Sequence, residues 1–191
     1  MPTDLQTIQY REQQQEHSFP RALLTTIKQD WQTPPDLFGK LKGPFEILLD
    51  PCTSDDNPLG TKYFITEAQD GLKQDWLYNA FVNPPYRYQR PFIEQALAQA
   101  YKQNTINLCL IPSRTDTRLY QDLIWPRARA ICFVRKRIPF IDNSVASEWL
   151  WLFGEKRNSS TFPSLIVAFA KRSLSKIQQT TLEDLGATLI R

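Results

Sequence analysis

The chain has 191 residues, 41% of them hydrophobic and 12% aromatic, with a formal net charge of +3. That length suits a single hydrophobic core, and no apolar run approaches the ~20 residues that a membrane-spanning helix requires. Three cysteines cannot all pair within one chain, and the N-terminus has no basic stretch leading into an apolar core, so secretion has no support and a reducing cytosol is the expected setting.

In chain order, residues 1–30 are polar and glutamine-rich and read as an N-terminal arm, while residues 31–191 are expected to form one domain. Pro34 and Pro35 suit a helix start, with Leu37, Phe38 and Leu41 as its buried stripe. Phe45 to Leu49 reads as a strand ending at Asp50-Pro51, and the stretch from Cys52 to Gly60 is rich in turn formers. Lys62 to Ile65 and Ala80 to Val82 are short β-rich runs; the second stops at Asn83-Pro84-Pro85, where proline removes ladder donors. Phe92, Ile93, Ala96, Leu97, Ala100 and Tyr101 recur at helical spacing. Thr105 to Ile111 is apolar enough for a central strand. Leu119, Leu123 and Ile124 mark a short helix, and Ala130 to Val134, Ser164 to Phe169 and Ala187 to Ile190 read as strands. Residues 142–162 form a long irregular insertion. Strands alternating with helices predict an α/β fold, its sheet mostly parallel with the closing strands antiparallel, and a site at the carboxyl strand ends.

Charge is unevenly spread. Leu41 to Ala80 carries three basic and seven acidic residues, whereas Ile111 to Phe140 carries seven basic and two acidic. The basic stretch includes Arg114, Arg118, Arg135, Lys136 and Arg137 and is a plausible phosphate-contacting surface, although solvated basic faces are also common. His17 stands alone in the polar arm and the cysteines are dispersed, so no metal-ligand set is expected.

Asn83-Pro84-Pro85-Tyr86, directly after a strand, is the strongest chemical signal. The exocyclic amine of adenine is a poor nucleophile because its lone pair is delocalised into the ring. The Asn83 side-chain carbonyl and the Pro84 backbone carbonyl are two acceptors that would localise that lone pair, the prolines would hold them in convergence, and Tyr86 offers a ring for an extruded base. Asp50, at a strand end, suits a cofactor ribose or ammonium group, or simply caps a turn before Pro51. Asp70 and Asp75 are loop acids with the same two readings. Pro51-Cys52 is also the dipeptide of cytosine-C5 methyltransferases, whose thiolate attacks the base, but it precedes the Asn83 loop and reads as an ordinary small cysteine.

Taken in order, several segments resemble the phage DNA N-6-adenine methyltransferase family, the Dam-like group. They are Trp31-Gln32-Thr33-Pro34, Leu49-Asp50-Pro51-Cys52, Lys62-Tyr63-Phe64, Asp70-Gly71-Leu72 with Asp75-Trp76, Asn83-Pro84-Pro85-Tyr86, Ile111-Pro112-Ser113-Arg114-Thr115-Asp116-Thr117, Arg137-Ile138-Pro139-Phe140 and Phe162-Pro163-Ser164. The resemblance implies a class I, Rossmann-like methyltransferase sheet with helices on both faces and an antiparallel closing hairpin. It also implies S-adenosyl-L-methionine as cofactor, double-stranded DNA as substrate, and a phage or prophage protein acting in the bacterial cytoplasm. It would place Trp31, Thr33, Pro34, Asp50, Asp75 and Asn83 at the cofactor. Arg87, Arg114, Thr115, Asp116 and Arg118 would face DNA, joined by Lys156 and Arg157 from a segment whose tryptophans serve equally well as core. The Gly-rich turn of larger methyltransferases is absent, replaced by Asp50-Pro51-Cys52-Thr53. Two rival functions share these features: methylation of another planar amine, in an RNA base or a protein glutamine, and a catalytically inactive DNA-binding module.

Overall fold

Alternation of apolar side chains along the strands builds two hydrophobic cores, one on each face of a seven-stranded sheet. The computed structural model describes residues 31–142, 158–159 and 162–191. In chain order the elements are β1 (Trp31–Gln32), α1 (Pro35–Lys42), β2 (Leu49–Thr53), β3 (Tyr63–Thr66), β4 (Ala80–Val82), α2 (Gln89–Gln103) and β5 (Ile106–Pro112). A π-helical segment, Leu119–Ile124, then leads into α3 (Trp125–Arg127), followed by β6 (Ala130–Val134), β7 (Pro139–Asp142), β8 (Asn158–Ser159), β9 (Ser164–Ala170), α4 (Lys176–Leu185) and β10 (Gly186–Ile190).

The large sheet has the order β10-β6-β9-β5-β4-β2-β3, and β1-β7-β8 form a small second sheet. The β2–β3, β2–β4 and β4–β5 pairs are parallel, while β5–β9, β6–β9 and β6–β10 are antiparallel. Since β5 and β6 both run against β9, they point the same way, so β2, β3, β4, β5 and β6 share one direction and β9 and β10 oppose it. The sheet is therefore mixed. The closing strands do not pair as a hairpin: β9 is inserted between β5 and β6, which leaves β10 only the outer edge of β6.

One core joins Ile106, Leu108 and Leu110 of β5 to Ile166 and Ala168 of β9, beneath Phe38 and Leu41 of α1 and Leu182 of α4. The other joins Cys109, Ile111, Leu165 and Val167 to Phe92, Ile93 and Ala96 of α2 and to Tyr120 and Ile124 of the π-helical segment. Helices thus cover both faces. Every residue of β5 and β9 is buried. At ~1.5–3 kcal/mol per buried large aliphatic side chain, this pair of strands is the frame from which the site loops project.

Three further expectations need correction. The apolar run Phe45 to Leu49 is not the strand; Phe45 and Glu46 turn out of α1, with Glu46 at φ 50°, and β2 begins only at Leu49. Pro51 lies inside β2 rather than ending it, because the register is interrupted between Asp50 and Thr53 and the missing N–H falls at that irregularity. On α2, Tyr101 is exposed, while Gln99 is buried and accepts a hydrogen bond from the Trp76 backbone N–H at 3.1 Å. The expected irregular insertion lies largely outside the described residues; Asn158 and Ser159 within it pair with Phe140 and Pro139 of β7.

Candidate active site

The chain goes from β2 to β3 on one side and then returns across to β4 on the other, so a topological switch point falls at the carboxyl ends of β2 and β4. In open α/β sheets such a crevice is where ligands bind. Four of the loops at this edge flank the switch point: those after β2, β3, β4 and β5.

Asn83-Pro84-Pro85-Tyr86 follows Val82, the last residue of β4. Pro84 is buried and its three neighbours are half-buried. The Tyr88 N–H donates to the Pro85 carbonyl at 2.9 Å, which closes a 3-10 turn, Tyr86–Tyr88, leading directly into α2. Among the described residues no backbone N–H is bonded to the Pro84 carbonyl. Tyr86 meets Phe162 edge to face, with centroids 5.6 Å apart and planes at 76°. Burial pushes its phenol up to about 12 against the opposing charge of Arg114, so the ring stays neutral.

Beside this loop stands Asp50, 5% exposed. Burial pushes its carboxyl up to about 6, although the Cys52 N–H at 3.1 Å and the Thr53 side chain both donate to it. Cys52 retains some exposure as a residue, but its thiol is enclosed; that burial and the adjacent Asp50 charge push it well above the ordinary thiol range, and the Asn83 backbone amide faces it. It is an uncharged packing group rather than a nucleophile. The loop after β3 presses on β2 from the other side: a Cβ on Gly71 would lie 2.0 Å from the Pro51 carbonyl oxygen. The fully buried Trp76 holds that approach by donating from Nε1 to the Gly71 carbonyl at 2.9 Å.

Thr33 and Pro34, between β1 and α1, are buried. Pro34 supplies the carbonyl that starts α1, accepting from Leu37 and Phe38 N–H groups at 3.1 Å. The Thr33 hydroxyl is buried without a hydrogen-bond partner, and so is that of Ser164, which sits opposite Pro112 in the β5–β9 register. Buried polar atoms are normally satisfied, whereas among the described residues these two hydroxyls have no partner.

Arg114, Thr115, Asp116 and Arg118, after β5, are exposed. This loop is fixed by Ser113 N–H donating to the Pro163 carbonyl at 2.8 Å and by the Thr117 hydroxyl donating to the Arg114 carbonyl at 2.8 Å. Arg87 is exposed, 3.4 Å from Glu67 and stacked over Tyr88. Asp75 is engaged away from the Asn83 loop. Its carboxylate accepts from Lys102 at 2.6 Å and Gln99 at 3.3 Å, which hold it below the usual carboxylate range. Lys102 is in the last turn of α2, roughly 20 Å along the helix from the Asn83 loop. Asp75 instead lines a shallow cleft of about 320 Å³ along β3 with Leu49, Ile65 and the stacked Tyr63 and Tyr78. Lys156 and Arg157, and the side chain of Trp31, lie outside the described residues.

Phe162 and Glu67 are neighbours of the site that the sequence reading did not single out for a role. Phe162-Pro163-Ser164 was visible as a motif, and its position just before a buried strand is the signal that could have found it. Among the described residues no group of three or more histidine, cysteine, aspartate or glutamate side chains is arranged to hold a metal ion, and no helix is long and apolar enough to cross a membrane.

A mixed α/β sheet with a rigid Asn-Pro-Pro-Tyr loop at its carboxyl edge and a buried carboxylate within the neighbouring strand β2 fits a methyltransferase-like fold. The family described as DNA N-6-adenine-methyltransferase (Dam) matches residues 21–187, and the chain belongs to that family of enzymes. It is 29% identical over 147 residues to the DNA N-6-adenine-methyltransferase of Haemophilus phage HP1 (strain HP1c1), an alignment covering 75% of this chain and 79% of that protein.

Proposed function

We propose that this chain transfers a methyl group from S-adenosyl-L-methionine to the N6 amine of adenine in double-stranded DNA, on a sheet of the class I methyltransferase kind. The observation that carries this reading is the proline-locked loop from Asn83 to Tyr86, at the switch point of the sheet, in a member of this family. The reversed strand β9 between two strands of common direction supports the class I assignment.

The residues present fit the cofactor. A buried carboxylate at Asp50 suits a ribose or ammonium group, and the orphaned Thr33 hydroxyl beside Pro34 suits its methionine end. When bound, S-adenosyl-L-methionine supplies an electrophilic methyl group carried on sulfur. The chain supplies the rest. The Asn83 and Pro84 carbonyl oxygens accept both N–H bonds of the target amine, which concentrates its lone pair on nitrogen. Pro84 and Pro85 hold those acceptors without further entropy loss. Tyr86, braced edge to face by Phe162, stacks on the extruded base. Arg114, Thr115, Asp116 and Arg118 flank the base along the backbone, and Arg87 joins them on release from Glu67. Cytosolic action on phage or host DNA follows from this reading. Asp75, committed to Lys102, takes no part.

The test is incubation with methyl-labelled S-adenosyl-L-methionine and unmethylated duplex, then digestion to nucleosides. Label is expected in N6-methyldeoxyadenosine. Label in another nucleoside, in RNA or in protein, or cofactor binding without any transfer, would overturn the proposal.

A further inference from the structure

We propose that the turn Arg135-Lys136-Arg137 is a phosphate clamp for duplex DNA, a second anchor set apart from the loops around the Asn83 site. The inference rests on the DNA-methylating reading above. β6 points in the same direction as β4, so the residues after Val134 emerge at the same edge of the sheet as those after Val82. The two loops are separated by three inter-strand steps, β4 to β5 to β9 to β6. At ~4.8 Å per step that is roughly 14 Å, short enough for one duplex segment to touch both.

The turn is built rigidly. Val134 pairs with Gly186, the Arg135 N–H donates to the Leu185 carbonyl at 2.8 Å, and Ile138 and Phe140 are buried just downstream. Gly186 allows the close packing, since a Cβ there would lie 1.9 Å from the Phe133 carbonyl oxygen. Lys136 sits at φ 70°, a conformation that costs a side-chain-bearing residue ~1 kcal/mol. A cation is held where glycine would relieve the strain. All three side chains are exposed. Among the described residues none of them has a carboxylate within ion-pair distance, whereas Lys73, Arg87, Arg90 and Lys102 are each paired. Three exposed charges on a braced turn, with no carboxylate partner among the described residues, are placed to displace counterions from phosphates.

The test is the salt dependence of duplex affinity, measured by titrating labelled duplex at several salt concentrations. The variant Arg135→Gln/Lys136→Gln/Arg137→Gln is expected to lower the magnitude of the slope of log K against log salt by ~2.7, at ~0.9 per phosphate contact. Cofactor affinity by calorimetry and kcat at saturating DNA stay unchanged while KM for DNA rises. Lys136→Asn, whose new side chain accepts a positive φ, is expected to lower the slope by ~0.9 with the fold retained. The control is Lys171→Gln/Arg172→Gln: these exposed residues follow β9 and so lie at the opposite edge. An unchanged slope in the clamp variants, or an equal loss per charge in the control, overturns the clamp. A wild-type protein that binds duplex without a salt-dependent slope, or that transfers no methyl group to DNA, instead overturns the reading on which the clamp rests.

Discussion

Replacing Asp50 by asparagine should make the cofactor-free protein more stable while weakening its grip on the cofactor. The buried carboxyl ionises at about 6 rather than at its ordinary 3.8. With ~1.4 kcal/mol for each tenfold change in proton affinity, keeping it charged costs the fold about 3 kcal/mol at neutral pH. The native state holds its proton to higher pH than the unfolded chain does. Wild-type stability therefore carries no such penalty below about pH 4, falls as pH rises from about 4 to about 6, and stays at the lower level above. Asparagine does not titrate, but one carboxylate oxygen becomes an NH2 donor, and a hydrogen bond accepted by that oxygen is lost at ~1 kcal/mol. The variant should thus exceed wild type by roughly 1 to 3 kcal/mol at pH 8, with that advantage gone near pH 4. Urea unfolding at pH 4, 6 and 8 without cofactor reads this directly. In calorimetry at pH 8 the variant should bind S-adenosyl-L-methionine more than about tenfold more weakly. A stability difference independent of pH, or a variant weaker than wild type at pH 8, would refute the burial argument; unchanged cofactor affinity would remove Asp50 from the cofactor site.

Thr33→Val removes a buried hydroxyl that has no partner; it should leave the cofactor-free protein as stable or up to ~1 kcal/mol more stable and weaken cofactor binding, and an equal affinity would show that the hydroxyl meets no ligand. Gly71→Ala drives a methyl group into the Pro51 carbonyl and should lower the unfolding free energy by ~1–3 kcal/mol; a neutral result in thermal melts would mean that the loop after β3 does not bear on β2 in solution. Tyr86→Ala should cost ~1–3 kcal/mol of affinity for duplex carrying an extrudable adenine, and equilibrium titration showing no loss would exclude ring stacking.

The strands buried on both faces were the most legible. Ala130 to Val134 is found as read, β9 runs one residue further at its end, and β5 is displaced by one residue at both ends, because continuous apolar runs bounded by polar residues admit few alternatives. The stretch from Phe45 to Thr53 misled for a physical reason. Phe45 and Ile47 are fully buried without being in the strand, so an apolar run there signals burial and not pairing, and a register irregularity accommodates Pro51 inside the strand. Helix α4 went unread despite a local signal: the Ser175 hydroxyl accepts from the Gln178 N–H and the Gln178 side chain accepts from the Ser175 N–H, a capping box. At the site, Asn83 to Tyr86 announced itself through residue types, and their placement after β4 followed from the run Ala80 to Val82. The engagement of Asp75 with Lys102, 27 positions away, and the contact of Tyr86 with Phe162, 76 positions away, depend on how the crossovers bring distant loops together; no local pattern carries that information.

The claim on which the account turns is that the Asn83 side chain activates the target amine rather than merely ending a strand. Single-turnover methyl transfer by Asn83→Ala, with cofactor and duplex both saturating, tests it most directly. The account predicts a rate lower by more than about tenfold, at least ~1.4 kcal/mol of barrier, with cofactor affinity nearly unchanged; transfer at the wild-type rate would contradict it.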